Sequence, residues 1–129
     1  YLGEKDMQQL KIIENFILEK YPNIKVIPCK IIREKNGIAY SSRNLNLSRK
    51  EKRIASAIYK IIKKEKVNLI KKKVLTSFIS KKIINTGATK IEYLEVLDIN
   101  KLIKPFKRKT LYKVFVAYYL NLTRLIDNI

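Results

Sequence analysis

The 129 residues predict an α/β fold, read as α+β over this stretch: a helix and strand that end an α/β unit, then two helices and a small, mostly antiparallel sheet. Three observations carry that prediction. Apolar residues recur at helical spacing from Asp6 and give way to the β-branched run NIKVIPCKII. Ser48 stands three residues before Glu51, at the head of a second helical stripe. The last third of the chain then changes to strand period.

In the first element Leu10, Ile13, Ile17 and Tyr21 line one helix face, and Pro22 with Asn23 ends the pattern. NIKVIPCKII reads as a buried strand after it; no strand precedes the helix in this reading, although a parallel sheet needs one there. REKNGIAYSSRNLNLS is polar and turn-forming, with Asn36-Gly37 as its clearest turn. Ser48 and Glu51 form a capping-box pattern before a helix striped by Ile54, Ala57, Ile58, Ile61 and Ile62. A further helix is predicted from near Val67 to Ile84 through Ile70, Val74 and Phe78, with Gly87 as its stop. KIEYLEVLD, LYKVFVAYYL and TRLIDNI read as strands, with a tight reversal at Leu120 to Leu122.

Lys and Arg number 29 against 11 Asp and Glu, a net charge of +18, which suggests a polyanion or a phosphate-bearing ligand. The excess is nearly all lysine and travels with isoleucine and asparagine, as an A/T-biased codon supply would produce. A basic nucleic-acid-binding module therefore stays an alternative rather than the first reading. Cys29 is the single cysteine, so no internal disulfide forms, and a soluble, cytoplasmic, reducing setting is expected. Histidine is absent, which excludes a His/Cys zinc site and a Ser-His-Asp triad built from these residues.

Two short segments can carry chemistry. Gly3-Glu4-Lys5-Asp6 precedes a helix, where free amides and the helix dipole favour an anion; the plainer reading is an ordinary acidic helix start. Ser41-Ser42-Arg43-Asn44 offers two hydroxyls, a guanidinium and an amide to a triphosphate, or is a solvated turn leading to the Ser48 cap. Gln8 and Gln9 either bind a small polar substrate or lie on the surface. Tyr112, Phe115, Tyr118 and Tyr119 read as sheet core and face, with a base-stacking platform as the lesser reading, and Cys29 as a small buried hydrophobe more than a nucleophile.

Taken in order, GEKDMQQL, REKNGIAYSSRNLNLS, IEYLEVLD and the terminal TRLIDNI closely resemble the pantothenate synthetase family, the pantoate–β-alanine ligases. The resemblance implies a Rossmann-like catalytic domain of the HIGH-type nucleotidyltransferase superfamily, followed by a small C-terminal domain. Residues 1–40 would end the first, and residues 41–129 would form a C-terminal lid beginning with the SSRN phosphate loop. It also implies ATP with Mg2+, a pantoyl-adenylate intermediate, release of pyrophosphate and AMP, β-alanine as acceptor, and a cytoplasmic homodimer in coenzyme A biosynthesis. Another adenylate-forming nucleotidyltransferase is the nearer alternative.

Residue by residue, the resemblance gives Gly3, Glu4, Lys5 and Asp6 to ATP, with Lys5 on phosphate and Gly3 and Asp6 near the ribose. It gives Gln9 to pantoate, the Ile32 backbone to adenine, and Tyr40, Ser41, Ser42 and Arg43 to the phosphates, with Lys5 and Arg43 as the catalytic cations. Leu2, Met7, Lys30 and Tyr40 depart from the family's usual residues. The family's paired histidines are missing from these residues, so its histidine-bearing half is expected upstream of Tyr1, and the stretch alone is expected to be inactive.

Overall fold

The computed structural model describes residues 1–99 and 111–129. Strand β1 (Leu2–Gly3) leads through a 3-10 turn, Glu4–Asp6, into α1 (Met7–Lys20) and then β2 (Pro28–Cys29). A second 3-10 turn, Ser42–Asn46, precedes α2 (Arg49–Ile70) and α3 (Thr76–Thr86). Strands β3 (Lys90–Asp98), β4 (Tyr112–Leu120) and β5 (Thr123–Asn128) complete the order.

A strand does precede the first helix, against the sequence expectation: β1 pairs in parallel with β2, Leu2 opposite Pro28 and Gly3 opposite Cys29. Two residues are too few to show alternation, so the pattern could not reveal it. The run 23–32 is paired only at those two residues, and Ile24 and Ile27 are exposed rather than buried. Cys29 is half-buried, not a core residue. Pro28 lacks the N–H that would extend the ladder.

The β3-β4-β5 sheet is antiparallel, with β4 central. Asn121 and Leu122 make the two-residue reversal, and Asn121 takes a positive φ of 50°. One sheet face packs on α2 and α3 around Ile58, Ile62, Ile79, Ile83, Val114, Val116 and Leu120. Each of those large side chains contributes about 1.5–3 kcal/mol by leaving water. Tyr118 joins this core, whereas Tyr112 is exposed and Phe115 and Tyr119 are half-buried on the sheet.

The Ser48–Glu51 capping box forms in both directions, the Ser48 Oγ accepting from Glu51 N and the Glu51 carboxylate accepting from Ser48 N. α2 runs on through Val67 to Ile70, which the sequence placed in the next helix. The chain breaks at 71–75 instead, where Lys72 adopts φ 54° and the amides of Lys71, Lys72 and Lys73 return to carbonyls of Val67, Leu69 and Asn68. Phe78 is exposed; Ile79 and Ile83 are the residues of α3 that reach the core. Gly87 ends α3 at φ 120°, as expected. Among the described residues no helix is long and apolar enough to cross a membrane.

Candidate active site

The turn bearing Lys5 is too short to hold itself, and the end of β5 holds it. The Asn128 amide donates to the carbonyls of Glu4 at 2.7 Å and Lys5 at 3.0 Å. The Glu4 carboxylate pairs with Lys113 of β4 at 2.9 Å, so this acid is engaged with the sheet. Asp6 stands at the N-cap of α1 without a capping hydrogen bond from its side chain. Gly3 has an ordinary φ of −73°, and a Cβ there would meet nothing within 4 Å. Neither backbone strain nor packing demands this glycine, which leaves open space beside Lys5.

The second segment is a stapled hairpin. Arg33 bridges to Ala39, Glu34 N donates to Ile38 O at 2.8 Å, and Asn36 Oδ1 accepts from Ile38 N at 3.0 Å. Ser56 of α2 donates to Asn36 O at 2.7 Å, fixing the turn on the helix. The Ile32 carbonyl accepts from Tyr40 N at 3.0 Å, and the Tyr40 carbonyl accepts from the Lys5 ammonium at 3.1 Å. Asn44, buried, donates to Glu34 at 2.7 Å and to Ala39 O at 3.1 Å, tying the Ser42–Asn46 turn to the hairpin. Ser41 accepts from Arg43 N at 3.3 Å, while Ser42 is exposed and Arg43 donates to Arg124 O at 3.4 Å.

These bonds bring Lys5 beside Arg43, Arg33, Asp127 and Asp6. Burial pulls the Lys5 ammonium below the ordinary lysine pKa; Asp127 and Asp6 oppose that shift, while Arg43 and Arg33 add to it. A half-buried cation faced by two guanidinium groups as well as two carboxylates can still take an added anion. A cavity of about 270 Å³ opens between this turn and the sheet, lined by Lys5, Asp6, Gln8, Tyr93, Glu95 and Asp127 among others.

Of the expected site residues, Lys5, Asp6, Tyr40, Ser41 and Arg43 fall in this one neighbourhood. Gln8 lines the cavity; Gln9 is exposed on α1 and does not. Ile32 is 73% exposed, its carbonyl committed to Tyr40. Sequence reasoning missed Arg33, Lys113, Asp127 and Asn128, which hold the two segments together. TRLIDNI showed as a strand and as part of the family resemblance, but not as the clamp on these segments, because partners so distant in the chain leave no local spacing.

The pantoate-beta-alanine ligase family model matches residues 1–129. Pantothenate synthetase of Flavobacterium psychrophilum is 35% identical over 100% of the chain, which covers 47% of that protein. The corresponding figures for pantothenate synthetase of Endomicrobium trichonymphae are 41%, 100% and 46%. The crystal structure of pantoate-beta-alanine ligase from Francisella tularensis, complexed with beta-gamma ATP and beta-alanine, superposes with a TM-score of 0.77 at 33% identity, over 100% of this chain and 42% of that one. Pantothenate synthetase from Thermus thermophilus, at 23% identity and TM-score 0.75, shares the fold over 98% of this chain and 47% of that one. The chain thus spans about half the length of the curated relatives it matches.

Proposed function

The chain belongs to the pantoate-beta-alanine ligase family, and from that premise we propose that it supplies the phosphate-handling part of an enzyme that condenses pantoate with β-alanine at the expense of ATP. One observation carries the proposal: two segments distant in sequence fold so that the half-buried Lys5 lies beside Arg43, its ammonium bonded to the loop that carries Arg43.

In the proposed reaction a pantoate carboxylate oxygen bonds to the α-phosphorus of ATP and the bond to the β,γ-pyrophosphate breaks. The β-alanine amine then attacks the acyl carbon, loses a proton, and AMP departs. Lys5 and Arg43 offset charge on the phosphates, Lys5 from a half-buried place where such a contact is stronger and Arg43 from the exposed loop beside it. Gly3 lets the nucleotide approach the backbone, Asp6 accepts from its ribose, and the Ile32 backbone meets adenine. Glu4 shapes the same wall through Lys113. Tyr40, Ser41 and Ser42 wrap the phosphates, and Gln9 orients pantoate.

Mg2+ would enter with the nucleotide, as part of the substrate complex. We assign residues 1–40 to the end of the catalytic domain and residues 41–129 to a lid that brings Ser41 to Arg43 over ATP, with its β5 end seated on the Lys5 turn when closed. Ile12 and Phe16, one turn apart on α1, and Leu18, Ile24 and Ile27 are exposed apolar residues, and we assign them to contacts with the rest of a protein of the relatives' length. The intact protein works as a homodimer.

The test is pyrophosphate release from ATP. The intact protein releases it with pantoate and not with other small carboxylates; the 129-residue chain, with no histidine, releases none. Turnover by the chain alone would show that the machinery is misassigned, and equal turnover with other acids would favour a different adenylate-forming enzyme.

A further inference from the structure

Two adjacent residues at the end of β5 grip the two segments of the phosphate site from opposite faces of one strand. Asn128 is 2% exposed. Both donors of its amide go to the turn that bears Lys5, and its Oδ1 accepts from Lys113 Nζ at 3.0 Å. Lys113 in turn holds Glu4, so the backbone before and at Lys5 is fixed by a closed set of polar contacts. Asp127 points the other way, as successive strand residues must. Its carboxylate takes both arms of Arg33, at 2.6 and 2.9 Å. Arg33 also donates to Gly37 O at 3.1 Å and to Asn128 O at 3.2 Å, which anchors the hairpin running into Tyr40 and Arg43.

Holding a short turn and a hairpin to one stiff strand fixes how far apart their cations stand. The hairpin is also seated on α2 by the Ser56 bond and by buried Ile38, and Lys5 reaches it at the Tyr40 carbonyl; the end of β5 adds side-chain contacts to both segments at once. A bidentate carboxylate–guanidinium pair and an amide with both donors used set direction as well as distance.

We propose that Asp127 and Asn128 are positioning residues of the nucleotide site, jointly setting the placement of Lys5 relative to Arg43. Neither touches the reacting atoms in this scheme. The kinetic part rests on the ligase reading above; the mechanical part does not.

The experiment uses the intact protein. Asn128→Asp keeps the shape but turns donors toward two carbonyls into a carboxylate oxygen, and Asp127→Asn removes the charge that faces both Arg33 and Lys5. Each raises KM for ATP about 10- to 100-fold while KM for β-alanine stays within about twofold. Amide hydrogen exchange speeds up at residues 3–8 in the first variant and 33–43 in the second, with β3 and β4 unchanged. Asn128→Ser carries the comparison if the aspartate variant does not fold. Unchanged exchange, or equal rises in both KM values, overturns the proposal. An inactive wild-type protein would instead sink the ligase reading, and exchange together with calorimetric ATP affinity would still decide the positioning role.

Discussion

Replacing Gly37 by alanine probes the hairpin that delivers Arg43. Gly37 sits at φ 93°, and a Cβ there would lie 2.3 Å from Tyr59 Cδ1 and 2.4 Å from Cε1. The ring has little freedom to yield, because the Arg33 guanidinium lies 4.4 Å over it and is itself bonded to Asp127. Positive-φ strain costs about 1–2 kcal/mol, and overpacking about 1–3 kcal/mol. A stiffer unfolded chain returns about 0.4–1 kcal/mol. Gly37→Ala is therefore expected to cost about 2–4 kcal/mol in urea denaturation at unchanged m. Gly37→Ala combined with Tyr59→Ala should cost less than the sum of the two single changes, since the second removes the atoms that collide. A loss below about 0.5 kcal/mol, or strict additivity, would mean that the Tyr59 ring does not bar a side chain at Gly37.

Ile83→Ala, at a fully buried position on α3, should cost about 2–5 kcal/mol by the same assay, and a surface-like value would mean that α3 does not close the core. Lys5 gives a pH dependence. Its pKa is lowered by burial, so charged Lys5 costs stability at neutral pH, and that cost is relieved as pH rises from the lowered value toward 10.5, where the unfolded chain still holds the proton. ATP favours the charged amine, so calorimetric affinity should fall as pH rises through the lowered value, before 10.5. Lys5→Arg, which stays charged, should flatten that fall; an unchanged slope would take Lys5 off the phosphate.

Much of the fold was legible because its signals are local. The Ser48–Glu51 box, the Ile54–Ile62 stripe, the Gly87 stop and the reversal at Asn121 are each written within a few residues of where they act. The α2–α3 break was not, because Val67, Ile70, Val74 and Phe78 keep helical spacing across it and the left-handed residue is Lys72, not glycine. Strand β1 was too short to alternate. At the site, GEKD and SSRN were legible as candidate segments, each with a plainer reading beside it, and the roles proposed for single residues came from family resemblance. What joins them was not legible: Arg33 meets Asp127 94 residues away, and Asn128 meets Glu4 124 residues away. Gly37 could be read as a turn residue, but the Tyr59 ring that forbids a side chain there could not.

Exchange of labelled pyrophosphate into ATP by the intact protein tests most directly whether Lys5 and Arg43 serve an adenylating step. Exchange should require pantoate, proceed without β-alanine, and fall about 100- to 1,000-fold in Lys5→Ala or Arg43→Ala. Exchange independent of pantoate, or undiminished in both variants, would contradict it.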